Sequence, residues 1–247
     1  MTASPAGAAA ACDFTVVAAR DLSRHYGRRR ALASVSAEWT TSTITGLFGP
    51  NGAGRSTLLG ALSTLLRPSS GEISFGGRDA RAWGDALRMR IGVLGHDLFL
   101  YPDLTARENL AFFGRLYGLA GRALDDRIER ALQWAELDRR GDDRVGSYSR
   151  GMRQRLATER ALLHDPRLVL FDEPFTGLDD RSTTRMIERL TELRDTGAIV
   201  VMATHDLEIA ERFIDRAMCL HEGRLITIDG GDGRLRDRYR QAVAGQR

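Results

Sequence analysis

The feature that most constrains how this chain can fold is a glycine-rich loop between a strand-like segment and a helix-like one. The loop reads GPNGAGRST over residues 49–57, with an apolar run before it and a helical pattern after it. A G-x-x-x-x-G-basic-S/T pattern needs its glycines so that successive backbone N–H groups can point inward around phosphate oxygens. The following helix adds the partial positive charge of its N-terminus. We therefore expect a phosphate-binding loop made of Gly49, Pro50, Asn51, Gly52, Ala53, Gly54, Arg55, Ser56 and Thr57.

Arg55 is the one departure from this pattern, because loops of this kind nearly always carry lysine there. All 36 basic residues of the chain are arginine, so the same pressure that removed lysine elsewhere can account for Arg55. Arginine keeps the positive charge but has a longer, planar head group. We expect binding to survive better than turnover, with a rate loss on the order of 100-fold if the terminal phosphate shifts by about 1 Å.

Strand-like and helix-like segments alternate along most of the chain, which predicts an α/β core with right-handed crossovers. The start is rich in strands, and residues 105–135 change to a helical period that indicates a mostly helical insertion. Thr105 and Glu108 have the spacing of a capping box, so we expect a helix to begin there. The continuous apolar run at residues 168–171 is typical of a strand buried on both faces of a parallel sheet.

Two carboxylates and a histidine follow predicted strands of this core. Asp172 and Glu173 come directly after residues 168–171, where an acid beside a phosphate loop can hold Mg²⁺ with Ser56 as the companion ligand. Glu173 would then orient or deprotonate the attacking water. His205 follows the strand at residues 198–203 and could contact the terminal phosphate. Taken alone, solvated acids at a strand end and a structural histidine explain these residues equally well.

In this order the motifs resemble those of the ATP-binding subunits of ABC transporters, over about residues 14–228. Residues 49–57 resemble the Walker A loop, residues 168–173 the Walker B strand, residues 178–179 the D-loop and residues 204–205 the switch histidine. The resemblance implies a P-loop NTPase core with a parallel sheet, an N-terminal antiparallel β subdomain and a helical insertion. It also implies ATP and Mg²⁺ as cofactors. Tyr26 stands where the family stacks an aromatic ring on adenine, although a tyrosine in a turn also serves as a packing residue.

The segment YSRGMRQR at residues 148–155 is similar to the family's LSGGQ signature and keeps Ser149 and Gly151. In the family this helix start faces the terminal phosphate bound by a second ATP-binding subunit, so the resemblance implies a head-to-tail pair. His96 stands where the family has the glutamine of the Q-loop, and its charge, unlike that of glutamine, changes near neutral pH. The words Gly-His, Ser-Arg-Gly-Met and Leu-His-Asp-Pro resemble especially the haem-exporter branch, which is linked to cytochrome c maturation.

The resemblance also implies where the chain works and with what. A transmembrane permease subunit would receive the surface after the Q-loop, and the chain would sit at the cytoplasmic face of the cell membrane as a peripheral protein. The formal net charge of +3 is close to balance, and we expect no nucleic acid partner. We divide the chain into a disordered tail (residues 1–12), an ATP-binding domain (residues 13–230, with the helical insertion at about 96–160) and a basic C-terminal tail (residues 231–247).

The function expected is ATP hydrolysis that drives transport, in the direction of export, with catalytic roles for Glu173, His205 and His96. Two alternatives stay open at this point. A non-transport ABC ATPase acting on DNA or ribosomes would carry a coiled-coil or zinc insertion or a second cassette, and the sequence shows none of these. A nucleotide-binding regulatory subunit with weak or no hydrolysis would accommodate Arg55.

Overall fold

Two sheets form the framework of the chain in the computed structural model, which describes residues 13–228 and 233–245. The strands are β1 (Val16–Tyr26), β2 (Arg29–Thr40), β3 (Thr43–Phe48), β4 (Ser70–Phe75), β5 (Arg78–Asp79), β6 (Ile91–Leu94), β7 (Leu168–Asp172), β8 (Ile199–Ala203), β9 (Arg216–His221) and β10 (Arg224–Thr227). The helices are α1 (Arg55–Leu62), α2 (Ala80–Trp83), α3 (Asp85–Arg88), α4 (Ala106–Leu116), α5 (Gly121–Trp134), α6 (Arg150–Leu162), α7 (Asp180–Asp195), α8 (Leu207–Ala210) and α9 (Leu235–Ala244). The tail expected at residues 1–12 lies outside the described residues.

The first sheet is antiparallel, with strand order β2-β1-β4-β5. The second has six strands in the order β10-β9-β3-β8-β7-β6, and its strands from β9 to β6 all run parallel. Among the described strands of this second sheet, only β10 is antiparallel, and it forms a hairpin with β9. The predicted fold class, a parallel α/β core with an N-terminal antiparallel β subdomain and a helical insertion, is confirmed.

The parallel sheet is buried on both faces, as the apolar run at residues 168–171 predicted. Leu170 and its neighbours on one face pack against the antiparallel sheet and α1, while Phe171 and its neighbours on the other face pack against α6, α7 and α9. The four side chains of Leu168–Phe171 are all 0% exposed. Strands buried this way are fixed in position, so the loops that follow them are fixed as well.

The helical insertion consists of α4, α5 and α6 around a separate apolar cluster. Thr105 and Glu108 form the predicted capping box, in which each side chain accepts the backbone N–H of the other. The helical pattern of residues 105–135 is divided into two helices, because the chain turns at Gly118 with φ +76°. Leu116, the last residue of α4, is 64% exposed.

The C-terminal part differs from the basic tail expected at residues 231–247. Its described residues form the helix α9, which docks on the core through Leu235, which is 1% exposed, and through Tyr239, whose ring meets Phe48 edge-on at 6.5 Å. None of the described helices is both long enough and apolar enough to span a membrane.

His164 joins the insertion to the core. Its ring stacks on Tyr117 at the end of α4, with ring centroids 3.6 Å apart, and its Nε2 lies 3.2 Å from the carbonyl oxygen of Ile91 at the start of β6. Burial lowers the pKa of His164 to about 4. This effect is larger than the opposing effects of the hydrogen bond to Ile91 and the charge of Asp165, which both raise the pKa. The folded protein therefore holds this imidazole neutral at pH values where the unfolded chain protonates it.

We expect His164 to make the fold sensitive to acid. A histidine whose pKa is depressed in the folded state stabilises the fold above its unfolded pKa of 6.5, and this contribution is lost as pH falls toward 4. As the pH falls through this window, the free energy of unfolding of the native protein should decrease more steeply than that of His164→Phe, by up to about 1.4 kcal/mol per pH unit. The phenylalanine keeps a ring against Tyr117 but cannot be protonated. Urea unfolding at a series of pH values measures both slopes, and parallel slopes would contradict the prediction.

Candidate nucleotide site

The parallel strands bring the chemically active segments to one edge of the sheet. Leu47 on β3 lies beside Ala203 on β8, and Ala203 lies beside Asp172 on β7. The phosphate loop, the segment after β8 and the segment after β7 therefore start next to one another. Ligands in open parallel sheets bind at this carboxyl edge.

At two positions of the loop at residues 49–57, another part of the backbone comes so close that only glycine fits. Gly49 has φ +143°, and a methyl group added there would lie 2.2 Å from the carbonyl oxygen of Leu220. Gly54 has φ +110°, and a methyl group would lie 2.3 Å from the carbonyl oxygen of Ala31. Strand β9 and the hairpin β1–β2 therefore clamp the two ends of the loop, and the required glycines are explained by contact as well as by backbone angle.

The first turn of α1 is open to an anion. Gly54 is the N-cap residue and provides no side-chain cap, and the first turn carries no acidic residue. Arg55, Ser56 and Thr57 therefore present backbone N–H groups at a positively polarised helix end. This is the arrangement that binds phosphate at helix N-termini.

Glu173 lies between the loop and the histidine after β8. Its Oε1 is 3.3 Å from Nη1 of Arg55, and its Oε2 is 2.8 Å from Nδ1 of His205. Nη2 of Arg55 is in turn 3.4 Å from Oδ1 of Asn51 in the loop. Three sequence-predicted residues, Arg55, Glu173 and His205, are thus in direct contact.

The residues predicted to hold Mg²⁺ also lie at this edge. Asp172 ends β7 and is partly exposed, and Ser56 is exposed in the first turn of α1. No group of three or more histidine, cysteine or acidic side chains able to hold a metal occurs in the described residues. A carboxylate and a hydroxyl suit Mg²⁺, which is typically bound by one or two protein ligands together with substrate phosphates and water. The donor set therefore fits a magnesium ion that arrives with a nucleotide.

Tyr26 is 44% exposed at the β1–β2 turn, and the guanidinium of Arg24 lies 4.8 Å from the centre of its ring. Nη2 of Arg29, on the other side of the same turn, donates to the carbonyl oxygen of Gly52 at 2.8 Å. This bond attaches the hairpin to the phosphate loop and so brings Tyr26 to its side. Arg29 was not singled out from the sequence, where it is one of three consecutive arginines with nothing to distinguish it.

His96 is exposed two residues beyond β6, the strand that pairs with β7. The pairing of Leu94 with Phe171 places it near the carboxyl edge, on the side of Asp172 away from the loop. The structure therefore brings His96 to the site's border and does not make it part of the Arg55–Glu173–His205 contact.

Ser149 caps α6 by accepting the backbone N–H of Met152 at 3.3 Å. Gly151 packs tightly on the turn after β7, since a methyl group there would lie 2.8 Å from the carbonyl oxygen of Gly177. Further along α6, buried Gln154 donates to the carbonyl oxygen of Pro174 at 3.2 Å. Gln154 was not predicted as a site residue, although it lies within the recognised signature segment. The signature helix is thus bonded to the chain that follows Glu173.

A cavity of about 480 Å³ opens beside this contact, lined by Glu173, Gly177, His205 and Asp206 among others. A second cavity of about 410 Å³ lies at the opposite end of the sheet and is lined by arginines. Two of those arginines, Arg127 and Arg189, already pair with carboxylates. The carboxyl-edge cavity borders the candidate site through Glu173 and His205, while the phosphate loop itself does not line it.

The chain has two cysteines, Cys12 and Cys219. Cys12 lies outside the described residues. Cys219 is buried in β9, and burial raises the pKa of its thiol to about 11. A thiol that stays protonated at neutral pH is a poor nucleophile.

Comparisons with known proteins show the family of the chain. The family profile described as ABC transporter matches residues 32–176. The Nod factor export ATP-binding protein I of Burkholderia lata is 38% identical over 207 residues, which cover 84% of this chain and 68% of that protein. A solved structure of the ATP binding subunit of an ABC transporter superposes with a TM-score of 0.80 at 32% identity, covering 92% of this chain and 93% of that one. A dimeric post-hydrolysis structure of the ATP-binding cassette MJ0796, bound to ADP and Pi, gives a TM-score of 0.77 at 27% identity, covering 87% and 100% of the two chains.

The fold, the loop that only glycine permits, the acid after β7 and these matches lead to one conclusion. The chain belongs to the ABC transporter family, as an ATP-binding subunit that hydrolyses ATP to drive transport through a separate membrane subunit.

Proposed function

We propose that this subunit drives export, working as one of a pair of ATP-binding subunits on the cytoplasmic face of the cell membrane. The observation that carries the proposal is the contact of Glu173 with both Arg55 and His205. It joins a base candidate to the phosphate loop and to the histidine after β8 in one arrangement. The direction of transport is supported by the Burkholderia relative, which is a Nod factor export protein. The haem-exporter subtype stays a prediction from the sequence.

In this proposal the loop residues Gly49–Thr57 hold the phosphates of ATP, and Tyr26 stacks on the adenine. Ser56 and Asp172 hold Mg²⁺, which supplies positive charge against the phosphate oxygens when it is bound. Glu173 accepts a proton from the attacking water, and His205 donates a hydrogen bond toward the terminal phosphate. Its exposed ring is free to turn from Glu173 to a ligand, since the side chain is 76% exposed.

Ser149 and Gly151 act on the nucleotide of the second subunit. The start of α6 is accessible, because Ser149 and Arg150 are exposed, although the Ser149 side chain already accepts the N–H of Met152. The dimeric state of the MJ0796 cassette supports pairing of this kind. His96 borders the same edge and would contact the attacking water or Mg²⁺ through one ring nitrogen.

A regulatory subunit with weak hydrolysis is the second candidate, and the ion pair of Arg55 with Glu173 is the observation in its favour. The guanidinium occupies one oxygen of the candidate base and competes there with the attacking water. The presence of Asp172 and His205 in the same arrangement favours the active enzyme. Measured turnover separates the two.

We expect the native protein to hydrolyse ATP slowly, and Arg55→Lys to be faster by up to about 100-fold, because a compact ammonium lets the terminal phosphate sit closer to the water. Steady-state phosphate release under saturating MgATP measures both rates. Glu173→Gln provides the background, since an amide cannot act as the base. A native rate no higher than this background would leave the regulatory candidate standing.

Tyr26→Ala should weaken ATP binding by roughly tenfold, the effect of one lost aromatic stack, while Tyr26→Trp should retain it. The loss should be similar for ATP and ADP, because the ring meets the base and not the phosphates. Titration with fluorescent nucleotide measures the affinities. An unchanged affinity in Tyr26→Ala would assign this ring to packing alone.

The surface that we propose for the membrane subunit is the aromatic patch, defined as Phe99, Tyr101, Phe112 and Leu116. Its four side chains are 38% to 64% exposed, and Tyr101 and Phe112 meet edge-on at 5.2 Å. Asn109 is fully buried beneath and bonds to both backbone groups of Tyr101, so the patch has a fixed shape. Exposed apolar groups held together in this way mark an interaction site.

Leu116→Arg should reduce the fraction of the chain that sediments with membranes of its own cells by about tenfold, because a charge would be buried in the proposed contact. Leu65→Arg is the matched control, since Leu65 is 71% exposed but lies outside the patch. Both variants should keep the basal ATPase rate of the isolated subunit. Equal sedimentation of the two variants would contradict docking through the patch.

A further inference from the structure

Arg55 binds two partners at once through the two ends of its guanidinium. Nη1 meets Oε1 of Glu173 at 3.3 Å, and Nη2 meets Oδ1 of Asn51 at 3.4 Å. The Arg55 side chain is only 10% exposed and that of Glu173 is 28% exposed. An ion pair shielded from water to this extent is stronger than a surface pair, which typically contributes little.

The carboxylate of Glu173 is engaged on both oxygens. Oε1 accepts from Arg55, and Oε2 pairs with Nδ1 of His205 at 2.8 Å. The backbone holds the side chain in this place, because the N–H of Glu173 donates to the carbonyl oxygen of Ala203 at 2.8 Å. Glu173 also has φ +52°, an uncommon conformation for a non-glycine residue that fixed neighbours must maintain.

A phosphate group in the loop would compete for the same guanidinium. Arg55 is the first residue of α1, and its side chain starts at the helix end that the loop opens to an anion. Each oxygen of a bound phosphate is an acceptor for the N–H groups that now serve Glu173. The guanidinium can satisfy the phosphate only by leaving the carboxylate or by sharing its charge between the two.

We propose that Arg55 is an electrostatic lock on Glu173, closed in the nucleotide-free protein and opened when the phosphates of a nucleotide take over the guanidinium. This rests on the proposed function only in that the loop binds ATP. Nucleotide binding and the Arg55–Glu173 ion pair oppose each other. Part of the free energy of nucleotide binding is therefore used to separate Arg55 from Glu173. Arg55 is a positioning residue in this role, and a lysine, with a single nitrogen, would not place two separate nitrogens on Asn51 and Glu173.

The lock predicts a specific non-additivity in nucleotide affinity. Glu173→Gln removes the charge that competes with the phosphates, so it should tighten ATP binding by roughly five- to tenfold when residue 55 is arginine. The same substitution in an Arg55→Lys background should change the affinity by less than about twofold, since the lysine makes no comparable pair. The coupling between the two positions is the quantity that reports the lock.

The experiment is a double-mutant cycle of the native protein, Arg55→Lys, Glu173→Gln and the double variant. Affinity for ATP and for ADP is measured by calorimetry with Mg²⁺, at protein concentrations where light scattering shows monomers. Monomers exclude tightening through dimer formation, and ADP excludes effects of blocked hydrolysis. Glu188→Gln, which removes an exposed carboxylate on α7, controls for the change in net charge. Circular dichroism melting shows that each variant is folded, and Glu173→Ala replaces Glu173→Gln if that variant is not.

The outcomes are distinct for the lock and for the proposed function. Unequal effects of Glu173→Gln in the two backgrounds support the lock, even if the native protein proves not to hydrolyse ATP. Equal effects in both backgrounds overturn the lock and leave the ATPase untouched. Absence of ATP binding in all four proteins overturns both.

Discussion

The contact of one carboxylate, that of Glu173, with a loop arginine and a strand-end histidine is the interaction on which the site depends. It exists because β3, β8 and β7 run parallel and side by side, so that their carboxyl ends meet. Each strand is buried on both faces, and none can slide without exposing apolar side chains to water. The precision of the site is therefore a consequence of core packing, while its chemistry comes from the residues just beyond each strand.

The absence of lysine changes how Arg55 should be understood. From the sequence alone, arginine at this position is either a general exchange or a sign of a lost activity. The structure adds that the guanidinium is in use, pairing with Glu173 and Asn51 at the same time. The longer guanidinium of Arg55 thus makes contacts within the chain that, in our proposal, a nucleotide has to displace. Displacing them reduces the free energy gained when the nucleotide binds.

Much of the fold could be predicted from local sequence, because local rules suffice for it. The capping box at Thr105 and the buried strand at residues 168–171 follow from spacing and composition over a few residues. The order of the motifs also indicated the ABC transporter family, and the family resemblance predicted that Asp172 and His205 lie close to the phosphate loop. Features that depend on distant residues could not be predicted in this way. The Arg55–Glu173 pair joins positions 118 apart, and the docking of α9 depends on Phe48, far away in the sequence.

The signature helix α6 connects three surfaces that a transport cycle has to coordinate. Its N-terminal end, at exposed Ser149 and Arg150, is where we propose that a second subunit binds. Further along the helix, Gln154 donates a hydrogen bond to the carbonyl oxygen of Pro174, the residue that follows Glu173.

Near its end, buried Arg160 lies 4.9 Å from the ring centre of Phe113 and donates to the carbonyl oxygen of Val93 on β6 at 3.0 Å. Phe113 in turn contacts both Tyr101 and Phe112 of the aromatic patch. The contacts of α6 thus connect the aromatic patch, our proposed docking surface, to the segment that follows Glu173.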